Sequence, residues 1–312
     1  MKIHDLYLSM YVFQIKKHNT ADDKTISSND FMALAYPDFD NPFLEGFTQE
    51  LVSSLEEKAY KSNKGTHGGI LEDKKIRGHM RMVDIMINGG ITGIKQVVID
   101  EKGEKRELSE KEIVGMKFYF RVWLPTNGNL GYVFVQSYNT LSIKDLVQDI
   151  VESILKKHGH RFSGGRMLNT TTKKRQKDFL KKASLKHIVV LSNKNANSTS
   201  FANAGLLELT LKNVSIHGDD KLDFDEIKKI SKAHGILLKG KNFVLKGKYE
   251  LPHGKKKEIK TVPLSESQDN IKVVPNVKIP NYCIGEDNYP NIDEMIKFVD
   301  NEIDQIKREL KK

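Results

Sequence analysis

Eleven lysines and arginines fall between positions 156 and 186 (Lys156, Lys157, Arg161, Arg166, Lys173, Lys174, Arg175, Lys177, Lys181, Lys182 and Lys186), against one acid, Asp178. Eleven minus one equals the formal +10 of the whole 312-residue chain. Cations at this density repel one another within a Debye length of roughly 8 Å, and a polyanion that supplies counter-charge relieves the repulsion. The chemistry on offer is phosphate contact. Gly164 and Gly165, with no side chains, would also let backbone amides approach a phosphate oxygen. A second block holds Lys239, Lys241, Lys246, Lys248, Lys255, Lys256, Lys257 and Lys260 against Glu250 and Glu258. A general lysine bias would be spread evenly, whereas two blocks argue for a binding face and predict one continuous positive surface. Aromatic residues inside the first block are few, Phe162 and Phe179, so the pattern favours duplex phosphates over stacking of single-stranded bases.

Other chemistries find weaker footing. His158 and His160 could offer two imidazoles, but no acid stands at ligand spacing, and they are expected to add to the basic face. A metal-dependent nuclease would have to gather its carboxylates from distant strands: Asp84, Asp100 with Glu101 and Lys102, Glu208, Asp219 and Asp220. None forms a specific pattern, and Asp223 and Asp225 suit the first turn of a helix. There is no Gly-rich nucleotide loop and no nucleophile elbow. Cys283 is the lone cysteine, which excludes an intramolecular disulfide and reads as core. No cofactor and no metal are expected.

The elements that must position the basic residues follow from periodicity. The stretch 6–17 reads as a buried strand followed by a loop over 16–29. Phe43, Phe47, Leu51 and Leu55 recur every four residues and predict a helix over 42–61. Asn88, Gly89 and Gly90 sit between two strand-like runs in 77–100 and predict a hairpin turn. Strands over 115–124 and 130–138, joined by a Pro-Thr-Asn-Gly-Asn turn, extend an antiparallel sheet. Ser142 opens a helix to about 158 with an apolar stripe through Leu146, Val147, Ile150 and Ile154. Thr170 to Thr172 could cap a short basic helix over 173–182, its bases on one side and Phe179 and Leu180 inward. Strands over 186–191, 206–214, 243–251 and 258–264 follow, with a helix over 223–234 and a basic turn at 252–255. A final amphipathic helix starts near Asn291. The fold class is therefore α+β, with mixed, largely antiparallel sheets and packed amphipathic helices. Two domains are expected, an N-terminal α+β domain over 1–160 and a basic C-terminal one over 161–312.

No stretch approaches the roughly 20 apolar residues of a membrane span, and residues 1–13 lack a continuous apolar run and a cleavage pattern. A cytoplasmic protein without membrane insertion is expected. In its order of features the chain resembles the RexA-like phage-exclusion proteins: a Met-Lys strand opening, a mixed sheet, a basic middle, a hairpin-rich second half and a closing amphipathic helix. The similarity is one of layout, nearest over 243–267, and carries no individual residue across. It implies a dimeric, sequence-indifferent DNA binder in defence against phage, with a second defence protein or a phage protein as a further partner. The expected function is sequence-nonspecific binding of double-stranded DNA by a non-enzymatic protein. The alternatives are a metal-dependent nuclease and a basic module that binds an acidic phage protein.

Overall fold

The computed structural model describes residues 6–18, 24–56, 60–61, 67–91, 96–99, 102–109, 114–138, 141–180, 184–192, 207–212, 224–234, 243–253, 256–267, 270–274 and 276–310. The chain forms two compact units, Met1–Met167 with Val277–Asp304, and Leu168–Asn276 with Gln305–Lys312. The first unit therefore runs seven residues beyond the expected division at 160 and takes back most of the closing helix, Ile292–Leu310. That helix belongs there by its apolar face, since Met295, Phe298, Val299 and Ile303 are all buried.

The first unit is built on an antiparallel sheet of β1 (Leu6–Phe13), β2 (His67–Arg77), β3 (Met82–Ile91), β4 (Val114–Trp123) and β5 (Gly131–Tyr138), in the order β1-β5-β4-β3-β2 with Tyr60–Lys61 beyond β2. Every residue of β5 is buried, as befits a central strand covered on both faces. Helices α1 (Ser28–Ala35), α2 (Thr48–Glu56) and α3 (Lys144–Lys157) belong to this unit. The apolar stripe of α3 is buried as its period requires, through Leu146, Val147, Ile150, Val151, Ile154 and Leu155. Helix α1 begins at the last two residues of the stretch expected to be a loop, 16–29, and runs on beyond it. Its start is a capping box, in which Asp30 N–H donates to Ser27 Oγ at 3.0 Å and Ser27 N–H to an Asp30 carboxylate oxygen at 3.3 Å.

The Asn88-Gly89-Gly90 hairpin is corrected. These residues lie inside β3, and the turn is Gly78–Met80 followed by Arg81, whose φ of 51° and ψ of 48° are left-handed. The glycines serve close packing. Gly89 pairs with Gly69 and Gly90 with Gly68 and Gly115, and a Cβ on Gly69 would come within 2.7 Å of Ile87 and 3.1 Å of Leu146. Small residues here make the slot that receives Leu146 of α3. The helix expected over 42–61 also differs: Pro42–Phe47 is a π-helix, α2 ends at Glu56, and Tyr60–Lys61 is already strand. Phe43, Phe47, Leu51 and Leu55 are nonetheless buried together.

The opposite face of the sheet holds the ionic core. Asp84 on β3 lies directly across from Arg121 on β4, and both side chains are 0% exposed. Arg121 Nε donates to Asp84 Oδ1 at 2.5 Å, and its other nitrogens reach Asp300 Oδ1 at 2.6 Å and the Ile296 carbonyl at 3.2 Å. Arg77 donates to Asp84 Oδ2 at 3.1 Å and to Asp300 Oδ2 at 2.8 Å, and the buried Tyr119 hydroxyl donates to Asp84. Two guanidiniums against two carboxylates leave no net charge. The arrangement locks the closing helix to the sheet, because isolated buried charge would cost several kcal/mol per ion.

The second unit has a five-stranded antiparallel sheet, in the order Leu207–Lys212, Ser184–Ser192, Phe243–His253, Lys256–Ser267 and Asn270–Val273. Ile188, Val190 and Leu245 are buried in it. The unit also holds the short strand Leu168–Thr170, helix α4 (Lys173–Leu180) and helix α5 (Phe224–Ala233). Both units thus combine antiparallel sheets with helices in an α+β fold. Among the described residues no helix is long and apolar enough to cross a membrane.

Candidate nucleic-acid interface

Helix α4 forms where the basic spacing placed it, over Lys173–Leu180, and positions 181–182 of the expected span lie outside the described residues. Its N-terminus explains how it tolerates its composition. Cations at the positive end of a helix dipole are unfavourable, and the first turn of α4 holds no acid. The missing negative charge comes from Glu309, whose carboxylate accepts the N–H of Lys173 at 2.9 Å and of Lys174 at 3.1 Å. Thr172, itself buried, accepts the N–H of Arg175 at 3.3 Å. With these amides taken by protein groups, an incoming anion meets α4 through its side chains. Those of Lys173 and Lys174 are exposed, and those of Arg175 and Phe179 are half-buried. Lys177 lies on the helix at the position its spacing required.

The rest of the predicted set is dispersed. Lys156 and Lys157 end α3 in the first unit, exposed but engaged with acids: Lys156 pairs with Glu152 at 3.2 Å and Lys157 with Glu50 at 2.7 Å. Arg161 sits mid-strand in His160–Phe162, half-buried between two inward residues and opposite Lys16 in register. Like charges facing across a strand pair are unfavourable. Arg166 is half-buried after the Ser163–Gly165 turn. Gly164 and Gly165 are explained by that turn, since both adopt a φ of 71°. Lys181, Lys182 and Lys255 lie outside the described residues, and Lys256 and Lys257 begin a strand that pairs with Phe243–His253. The expectation of a single positive face over both blocks falls largely on these positions and on two separate units.

The histidines are corrected. His160 is buried, with Nδ1 2.6 Å from the His158 carbonyl and its ring 5.3 Å edge-on from Phe31. His158 Nε2 lies 3.1 Å from Glu50 Oε1 rather than joining a basic surface. Asp84, first among the carboxylates considered for a metal, is enclosed by Arg77, Arg121 and Tyr119. Of the other acids, 100–101 and 219–220 lie outside the described residues. Cys283 is buried, as expected of a core residue, and burial with the nearby Glu294 charge pushes its thiol up to about 11.

One constellation was not legible as a site. Glu50 gathers Tyr36 OH at 3.1 Å, Lys157 Nζ at 2.7 Å and His158 Nε2 on its carboxylate, beside an open groove of about 690 Å³. Burial raises the Glu50 pKa, but the bonds from Lys157 and His158 outweigh it and hold the carboxyl below its ordinary value. The Tyr36 phenol is raised by burial and by the Glu50 charge, so it stays a neutral donor. Glu50 reads in the sequence as an ordinary polar position of an amphipathic helix, and its partners come from 14 and 107–108 positions away. Comparison with known proteins finds no matching protein family, no matching curated protein and no matching solved structure.

Proposed function

We propose that this protein is a cytoplasmic, non-enzymatic binder of double-stranded DNA that grips phosphates without reading bases, with α4 as its principal contact. The observation that carries the reading is the first turn of α4, where exposed Lys173 and Lys174 precede Arg175 with no acid among them. Phosphate there would add the counter-charge that Glu309 supplies from one side. Phosphate contacts position a protein without specifying sequence. The resemblance to phage-exclusion proteins adds anti-phage defence as the setting and a homodimer as the binding form.

Fluorescence anisotropy on two unrelated duplexes of equal length tests the reading, repeated with magnesium and with manganese and followed by a denaturing gel. Similar affinities for both duplexes, and DNA left intact, are the expected results. A strong preference for one sequence, or no binding at low salt, contradicts the proposal. Cleavage would move the protein to the nuclease class.

A further inference from the structure

We propose that the groove beside Glu50 binds a small organic cation, a protonated primary amine of the kind a polyamine carries. The site lies wholly in the first unit and is independent of the nucleic-acid reading. Lys157 and His158 also line the groove, on Glu50, and four features set against them favour an added cation. Helices α1 and α3 both end at it, at Ala35 and Lys157, and helix C-termini carry negative partial charge from unpaired carbonyls. Glu45, half-buried in its wall, forms no ion pair among the described residues. Glu50 already accepts an ammonium, that of Lys157, on a side chain that is itself 66% exposed. Tyr36 and Phe39 present aromatic rings 6.3 Å apart, with Phe39 44% exposed at the groove. Ring faces and carboxylates together favour a cation, whereas a phosphate beside Lys157 and His158 would still meet two carboxylates and two helix C-termini.

The local backbone is built around this arrangement. Pro42–Phe47 is a π-helix, a form often found at functional sites. Its Gly46 packs on Tyr36 so closely that a Cβ would lie 2.4 Å from the ring. The glycine therefore permits Tyr36 to lie where its hydroxyl meets Glu50 and its ring sits tilted beside that of His158, centroids 4.6 Å apart. Lys157 acts as a tethered occupant that an external ammonium must displace or share with.

Isothermal titration of the full chain with spermidine, and separately with AMP, tests the assignment. Saturable spermidine binding at one site is expected, with no binding of AMP. Glu45→Gln should weaken spermidine at least tenfold while shifting the thermal melt only slightly, because among the described residues Glu45 forms no ion pair and its place in the first turn of Pro42–Phe47 is worth at most about 1 kcal/mol. Lys157→Met should strengthen it severalfold by removing the competing ammonium. Spermidine binding that Glu45→Gln does not alter would overturn the site. So would the absence of spermidine binding, or AMP binding that Lys157→Met weakens, which would mark the groove as an anion site.

Discussion

In the ionic core of the first unit, Arg77 and Arg121 face Asp84 and Asp300 at hydrogen-bond distance, and every charge has its counter-charge inside the fold. In the second unit, α4 exposes Lys173 and Lys174, and the acid that answers its first turn comes from Glu309, far along the chain. Both regions concentrate positive charge. The difference lies in where the compensation sits, and it separates cations that hold the structure together from cations that can meet a partner. Lys156 and Lys157 fall between the two cases. Their ammonium ends are exposed, but the carboxylates they meet, Glu152 and Glu50, are largely buried, so both lysines are already partnered inside the first unit.

The largest effect that would break this contrast is loss of Asp84. Asp84→Ala leaves Arg77 and the buried Arg121 to share Asp300 alone, and removing one partner of a buried pair costs about 3–5 kcal/mol. Urea unfolding should show that loss in the midpoint, with Asp84→Asn intermediate. A cost below about 0.5 kcal/mol, as for an ordinary surface change, would mean that the ionic core does not hold the closing helix.

Glu309→Gln should have a smaller and local effect. Weakening the cap of α4 costs about 1 kcal/mol and should appear as faster amide exchange at Lys173 and Lys174, with exchange on β4 unchanged. Equal acceleration in both places would show that α4 is not separately held.

The smallest effect concerns acid. Burial raises the Asp300 pKa, but the Arg77 hydrogen bond and the Arg121 charge outweigh it, so the folded value lies below the ordinary 3.8. A depressed carboxyl stabilises the fold above its unfolded value, and the contribution disappears as pH falls through the folded one. Wild type should therefore lose stability below about pH 4 more steeply than Asp300→Asn, in thermal melts over pH 2–6. Parallel curves would remove Asp300 from the account.

The legible parts of the fold were those set by local periodicity. Leu146 to Leu155, Phe43 to Leu55 and the strands at 114–123 and 131–138 announce themselves because a repeat of 3.6 or 2 is visible without knowing what covers it. Gly89 and Gly90 misled because their reason is a partner strand and Leu146 of α3, and a glycine slot has the same spelling as a turn. Arg121 gave no sign of its role, since its register against Asp84 depends on β3 and β4 pairing 37 residues apart. For the candidate interface, composition identified α4, but it also enrolled His160, which is core, and Lys157, which belongs with Glu50. Charge counts register every cation alike, and only the positions of the acids distinguish them.

The central claim is that α4 meets phosphates. Its most direct test replaces Lys173, Lys174, Arg175 and Lys177 together by Gln and measures duplex affinity by anisotropy across a salt series, on protein whose circular dichroism matches wild type. The expected result is at least tenfold weaker binding and a log–log salt slope reduced in magnitude by about 0.9 for each phosphate that the variant no longer neutralises. Unchanged affinity and unchanged slope would contradict it, leaving α4 a solvated face and moving the phosphate-binding role to Lys255, Lys256 and Lys257.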